Sequence, residues 1–209
     1  MRRCVIVGGA GINNYEYIRG LLREDDYMVF CDSGLKHMDK LQARPDLITG
    51  DFDSHEKPDI DVETIVLPRE KDDTDTVFAV KEAVRRGFEE FLLLGVAGAR
   101  LDHTLGNVSI LIYLDSIGKK GCIIDDYSEM EIVSENPVSV CDKFEFFSLL
   151  NITGCAEGIT ITGAKYPLDD ARITCEYQYG ISNEVLPGEK ATVSVKHGKL
   201  LLIKIRHNI

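Results

Sequence analysis

Five short strand-like runs in the first hundred residues, at 4–7, 28–31, 47–49, 64–67 and 91–94, each stop at a loop rich in glycine, acidic residues or both. The loops are Gly8-Gly9-Ala10-Gly11, Asp32-Ser33-Gly34, Gly50-Asp51-Phe52-Asp53-Ser54, the stretch from Pro68 to Asp75, and the stretch from Gly95 to His103. Between them lie segments with helical spacing. Residues 15–23 and 35–41 read as helices, and 75–86 carries Val77, Val80, Ala83 and Val84 on one face before a stop at Gly87. Residues 104–117 form an apolar helix ending at Gly118, and 122–124 form a further strand. The all-apolar run at 91–94 suits a strand covered on both faces of a parallel sheet. Strand and helix in regular alternation predict a doubly wound, mostly parallel α/β sheet. In such sheets ligands bind beyond the carboxyl ends of the strands, where the glycine and acid lie.

The pattern changes near residue 126. The runs at 131–133, 144–150, 158–161, 191–196 and 200–205 are short and β-rich, with no helix among them. His197-Gly198-Lys199 reads as a hairpin turn between the last two. This predicts an all-β sandwich or barrel of about 80 residues. The expected organisation is an α/β domain over 1–127 and a β domain over 128–209, and 209 residues suffice for both. The formal net charge of -11 gives no general attraction for nucleic acid or anionic membrane. The apolar runs are far too short to span a bilayer, and residues 1–7 lack a signal-peptide core. Six scattered cysteines without Cys-x-x-Cys read as reduced and buried, which suits the cytoplasm.

Asp51 and Asp53 follow an apolar run and stand two residues apart, so an extended backbone aims both carboxylates the same way. Two such charges repel unless a cation lies between them, and Mg²⁺ takes oxygen ligands from one or two carboxylates plus substrate phosphates. Asp75 can complete the site. Asp72, Asp73, Thr74 and Asp75 crowd one helix start, more acid than capping needs. Lys71 and Arg100 are candidate phosphate contacts. Asp102 is the expected cap of the next helix and a carboxylate able to hold Arg100. His103 stands in its first turn, and Asn107 one turn further on the same face. The Gly-x-x-x-x-Gly-Lys-Ser/Thr loop, the Gly-x-Ser-x-Gly elbow and zinc spacing are all absent.

Taken in order, Asp32-Ser33-Gly34, Gly50-Asp51-Phe52-Asp53-Ser54, Lys71-Asp72-Asp73-Thr74-Asp75 and Gly98-Ala99-Arg100-Leu101-Asp102-His103 resemble the thiamin pyrophosphokinase family. So do the stretch from Gly158 to Leu168 and Ser182-Asn183-Glu184 in the β-rich half. The resemblance implies transfer of the terminal diphosphate of ATP to the hydroxyl of thiamin, giving thiamin diphosphate and AMP. It implies Mg²⁺ on Asp51, Asp53 and Asp75. It places Asp32, Ser33, Gly34, Ser54, Thr74 and His103 at the nucleotide, and Lys71, Asp72, Arg100 and Asp102 at the reaction centre. Either Asp72 or Asp102 is left to take the hydroxyl proton. Ser182, Asn183 and an aromatic side chain (Tyr166, Tyr177 or Tyr179) would meet thiamin, since the chain has no tryptophan. The family resemblance further implies a homodimer whose subunits share the site. A metal-dependent phosphohydrolase or a non-catalytic nucleotide sensor would use the same acidic loops. Product analysis tells the three apart.

Overall fold

The structure, a computed structural model, describes residues 2–52, 60–70 and 72–207. The chain divides into two compact units, Met1–Asp126 and Tyr127–Ile209. In the first unit the elements run β1 (Arg3–Val7), α1 (Tyr15–Leu21), β2 (Tyr27–Cys31), a 3₁₀ turn (Asp32–His37), α2 (Met38–Leu41), β3 (Leu47–Gly50), β4 (Glu63–Val66), α3 (Asp75–Arg85), β5 (Glu90–Leu94), α4 (Leu101–Ser116) and β6 (Lys120–Ile124). Six parallel strands lie in the order β6-β5-β1-β2-β3-β4.

Alternation along β1 sorts its side chains to two faces. Val5 and Val7 join Met28, Phe30, Leu92 and Leu94 against Ile18 of α1 and Leu41 of α2. Helix α3 lies against β1, β2 and β3 and packs on α4. The sheet is therefore doubly wound. The strand order reverses at β1, with β2 on one side and β5 on the other, and the loops after β1 and β5 open a crevice there.

Two elements differ from the sequence reading. Helix α4 begins at Leu101, three residues before the expected start, with Arg100 as its N-cap residue and no capping side chain. Asp102 is thus inside the first turn and is not the cap. Residues 32–37 form a 3₁₀ turn before α2, where a loop and one helix were expected. Its geometry follows from Asp32, which enters the turn with a φ of 28°.

The second unit consists of β7 (Ser128–Val133), β8 (Val138–Cys141), β9 (Phe144–Leu150), β10 (Cys155–Thr162), β11 (Leu168–Thr174), β12 (Gly180–Asn183), β13 (Lys190–Ser194) and β14 (Leu200–Arg206). Antiparallel strands in the orders β12-β9-β14-β7 and β11-β10-β13-β8 enclose an apolar core of Val133, Phe147, Leu149, Ile159, Ile161, Ile173, Val193 and Leu202. This is a sandwich. The expected hairpin at His197-Gly198-Lys199 is corrected. β13 pairs with β10 and β8, while β14 pairs with β7 and β9, so the turn carries the chain from one sheet to the other. It is fastened to β10 instead, through Glu157 N–H to the His197 carbonyl at 2.9 Å.

Buried charge anchors the α/β unit at the end remote from the acidic loops. Arg3 makes a two-pronged pair with Asp26 at 2.9 and 2.7 Å, both side chains nearly excluded from water. Arg86, just past α3, binds Glu82 at 2.7 Å, Glu63 of β4 at 2.9 and 2.6 Å, and the Tyr27 hydroxyl at 2.9 Å. These bonds tie the C-terminal end of α3 to the sheet, which leaves its N-terminal end pointing at the strand termini.

Arg85 and then Arg86 hold the buried Glu82 carboxyl down to about 2 from an ordinary 4.5. A folded-state value below the unfolded one stabilises above pH 4.5, and that stabilisation is lost as pH falls toward 2. The Arg85 arm is 72% exposed and counts for little. Glu82→Gln is expected to cost about 1–2 kcal/mol at neutral pH. Thermal melts of variant and parent should converge by about pH 2. A gap unchanged by acid would show that the charge is not what Glu82 contributes.

Candidate active site

Asp32, Asp51 and Asp75 come from three separate elements, yet one carboxylate oxygen of each lies within 4.8 Å of the others. Backbone contacts force this approach. Gly50 ends β3 directly beside the first residue of the 3₁₀ turn, and a Cβ there would sit 2.9 Å from Asp32 Cβ and 3.1 Å from Asp32 Cα. Only glycine lets the β3 end come so near, and Asp51 follows it. Asp75 opens α3 behind the cap residue Thr74, whose hydroxyl accepts from Val77 N–H at 3.3 Å.

Three carboxylates at this spacing repel by a few kcal/mol per pair at an effective dielectric of about 20. The α3 N-terminus returns only about 0.3–1 kcal/mol of that. A hard cation restores the balance. Octahedral magnesium, with oxygens at about 2.0–2.1 Å, sets neighbouring oxygens about 2.9 Å apart and opposite ones about 4.1 Å apart. The trio needs only a small inward movement to meet that geometry, and its all-oxygen donors suit the ion.

The trio differs in part from the set expected of the sequence. Asp51 and Asp75 stand together as metal-ligand candidates, and Asp32, expected at the nucleotide, joins them. Local pattern could not show this, because β2 and β3 are neighbours only in the folded sheet. Asp53, Ser54 and Lys71 lie outside the described residues.

The remaining acids at the α3 start separate by task. Asp72 is exposed. Asp73 is paired with Lys81 through both oxygens, at 2.9 and 2.7 Å. Thr74 is spent on the cap. Leu67, Pro68, Asp72, Asp73, Phe78 and Lys81 line an open hollow of about 360 Å³.

Across the crevice, Arg100 and Asp102 form a two-pronged pair at 2.9 and 2.6 Å on an exposed surface. The Arg100 guanidinium holds the Asp102 carboxyl well below the usual carboxylate range. An exposed pair is cheap to break, so Arg100 remains free to exchange its partner for a phosphate. His103 is exposed beside it. Asn107 is buried, and its amide donates to the Val96 carbonyl at 2.7 Å. Thr104 was not singled out from sequence, yet its hydroxyl accepts from Gly98 N–H at 3.0 Å and lies 3.2 Å from the Arg100 carbonyl. Together Asn107 and Thr104 fix the loop that presents Arg100.

The glycines after β1 have a packing task. Gly8 N–H donates to Leu94 O at 2.8 Å and Ala10 N–H to Gly95 O at 2.7 Å, so those two donors are used within the protein. Ser33 sits against Gly9, where a Cβ would meet its Oγ at 1.8 Å, and Gly34 lies against the Val7 carbonyl in the same way.

In the second unit Asn183 is buried. Its amide accepts from Tyr166 N–H at 3.0 Å and Glu184 N–H at 2.9 Å, and donates to the Tyr166 carbonyl at 2.8 Å. Ser182 is exposed at a bulge of β12 with a φ of 58°. Tyr166 is 56% exposed, and Lys165 lies over its ring at 5.6 Å. Tyr177 and Tyr179 are in ring contact, 5.3 Å between centroids. All six cysteines are free. Cys4 and Cys31 are buried, but Cys175 is exposed and the other three are half-buried, so burial holds for only two. No helix among the described residues is long and apolar enough to cross a membrane.

The chain is thus a parallel α/β domain that gathers carboxylates at its strand ends, followed by an antiparallel sandwich. Residues 18–123 match the catalytic domain of thiamin pyrophosphokinase, and residues 131–200 match the vitamin B1 binding domain of thiamin pyrophosphokinase. The chain belongs to the thiamin pyrophosphokinase family, and it is a pyrophosphotransferase. Thiamine pyrophosphokinase of Bacillus subtilis strain 168 is 27% identical over 212 residues, covering 98% of this chain and 99% of the relative. The crystal structure of the thiamine pyrophosphokinase from Bacillus subtilis superposes with a TM-score of 0.88 at 23% identity, over the whole of both chains. That from Geobacillus thermodenitrificans gives 0.82 at 26% identity, covering 100% of this chain and 99% of its own. The yeast thiamin pyrophosphokinase gives 0.73 at 14% identity over 98% of this chain and 86% of its own, a likeness of fold alone.

The cluster's repulsion has a measurable consequence for the metal-free protein. Asp51→Asn is expected to raise its melting temperature in chelator by a few degrees, since one charge leaves the trio. A lower melting temperature would show that the three carboxylates do not strain the fold.

Proposed function

We propose that this enzyme takes ATP at the carboxyl ends of β1, β2, β3 and β5 and passes its terminal diphosphate to the hydroxyl of thiamin, releasing AMP. The observation that carries the reading is the convergence of Asp32, Asp51 and Asp75. Mg²⁺ is the cation we assign to them, with Asp53 as a further ligand. When bound, it would neutralise charge on the transferring phosphates. Arg100 leaves Asp102 for a phosphate oxygen, and Lys71 supplies a second positive charge from the loop before α3. Asp32-Ser33-Gly34, Ser54, Thr74 and His103 border the nucleotide. Diphosphoryl transfer then rests on holding the thiamin hydroxyl in line with the β-phosphorus.

For the hydroxyl proton, Asp72 and Asp102 are the two candidate aspartates. Arg100 holds Asp102 in its charged form so strongly that it makes a weak base while the pair lasts. Ser182 and Tyr166 are the thiamin contacts we assign in the second unit, with Asn183 as the clamp behind Tyr166.

A homodimer built through the second unit fits its surface. Tyr177, Tyr179 and Ile181 are exposed at 69%, 41% and 55% in one run that leads into the edge strand β12. Such a stripe is what a partner subunit covers. Acidic net charge speaks against a nucleic-acid or membrane partner. Six free cysteines suit the cytoplasm.

Incubation with ATP, Mg²⁺ and thiamin should yield AMP in step with thiamin diphosphate. Orthophosphate released without thiamin would turn the reading toward a hydrolase. Asp75→Asn is expected to lower kcat by roughly 10²-fold or more and to abolish the rise in melting temperature caused by Mg²⁺. Parent-like turnover would remove Asp75 from the metal. Ile181→Asp should shift sedimentation from dimer to monomer; an unshifted dimer would move the interface elsewhere.

A further inference from the structure

The loop between β1 and α1 is fastened to the turn that carries Asp32, and one side chain makes most of the join. His37 closes the 3₁₀ turn and is 2% exposed. Its Nε2 lies 2.8 Å from the Ala10 carbonyl, and its Nδ1 lies 2.7 Å from the Tyr15 hydroxyl. A carbonyl can only accept, so Nε2 carries the proton. In the neutral ring Nδ1 then accepts from the Tyr15 O–H. Burial, with Lys36 and Lys40 nearby, pushes the imidazole further toward the neutral state, against the pull of the Ala10 carbonyl.

Ala10 is thereby held on both sides. Its N–H goes to Gly95 and its C=O to His37. Next to it, Lys36 Nζ donates to the Gly9 carbonyl. The two segments also touch directly, Gly9 against the Ser33 side chain and Gly34 against the Val7 carbonyl. A shift of the β1 loop must therefore shift the 3₁₀ turn, and Asp32 is five residues before His37 in that same turn. Asp126 secures the far end of the loop, taking Asn13 N–H at 3.0 Å and Asn14 N–H at 2.8 Å.

We propose that His37 is a positioning residue for the nucleotide half of the reaction: its neutral ring bolts the β1–α1 loop to the turn that presents Asp32. This rests on the proposed placement of ATP at these loops. Buried, with both ring nitrogens bonded to protein partners, His37 acts through Ala10, Tyr15 and the turn.

The test is a set of three variants assayed for both substrates. His37→Ala is expected to raise the KM for ATP roughly tenfold, equivalent to about 1.4 kcal/mol, with the KM for thiamin changed less than about twofold. His37→Gln keeps an N–H donor for Ala10 and should bring the ATP KM back to within about threefold of the parent. Tyr15→Phe deletes one hydroxyl and should move the ATP KM in the same direction as His37→Ala by a smaller factor. An ATP KM at the parent value in folded His37→Ala overturns the assignment. So do equal rises in both KM values, which mean general damage to the fold. Release of AMP by the parent protein is the control that separates the two readings. If the parent releases none, the nucleotide reading fails and the assignment with it. If the parent releases AMP and His37→Ala behaves as the parent, the assignment of His37 alone fails.

Discussion

Repulsion among three carboxylates is the constraint that organises the α/β unit. Aspartates left to themselves would turn their side chains into solvent, and here the backbone prevents it. Gly50 admits Asp32 to the end of β3, and Asp32 accepts a φ of 28° in doing so. Local strain of this kind costs of order 1–3 kcal/mol, and it survives only where the surroundings over-determine it. The surroundings are on view at the other end of the sheet. Arg86 fastens the last turn of α3 to β2 and β4, and the buried Arg3–Asp26 pair fixes the start of β1. Those charges are paired, carboxylate with basic side chain, while at the active end three carboxylates converge, one oxygen of each within 4.8 Å of the others. One unit thus divides its ionic chemistry, with structural Arg–carboxylate pairs at the amino ends of the strands and a cluster of three carboxylates at the carboxyl ends.

The same division explains why glycine is dense in the loops after β1, β2 and β3. A loop that binds phosphate through its own N–H groups would leave them pointing outward. Here the Gly8 and Ala10 donors are bonded to the β5 loop. Close packing of loop on loop is what these glycines provide, and it makes the floor of the crevice rigid. Rigid floors suit phosphoryl transfer, where the protein contributes placement and charge more than covalent chemistry.

The parallel sheet was legible because its strands are buried on both faces and so read as apolar runs closed by glycine or acid. Residues 4–7, 28–31 and 91–94 each fall inside an observed strand. In the β-rich half, the strands that sequence did not show are β8, β11 and β12, and all three are edges of their four-stranded groups. Edge strands carry charge or kinks that discourage further pairing. Asp169, Asp170 and Arg172 break the alternation of β11, and Ser182 bulges β12, so no period survives to be read. The site was legible to the same extent. Asp51 and Asp75 stood out by local pattern, but the place of Asp32 beside them depends on which strands become neighbours. Nor could spacing reveal that Asn107 spends its amide on Val96, or that His37 spends both ring nitrogens on the β1 loop and α1.

Asn183 shows how a buried amide can join two chain segments of the second unit. Its carbonyl oxygen takes two backbone N–H groups and its amide nitrogen gives to the Tyr166 carbonyl, so its capacity goes to holding two chain segments together. A buried amide stripped of such partners costs about 1–3 kcal/mol, so this clamp is stiff. What it fixes is the backbone of Tyr166, whose ring stays exposed with Lys165 above it. Lys165 lies over that ring while its Nζ is paired with Glu184 at 2.7 Å, so the cation–π contact and the ion pair are made at once.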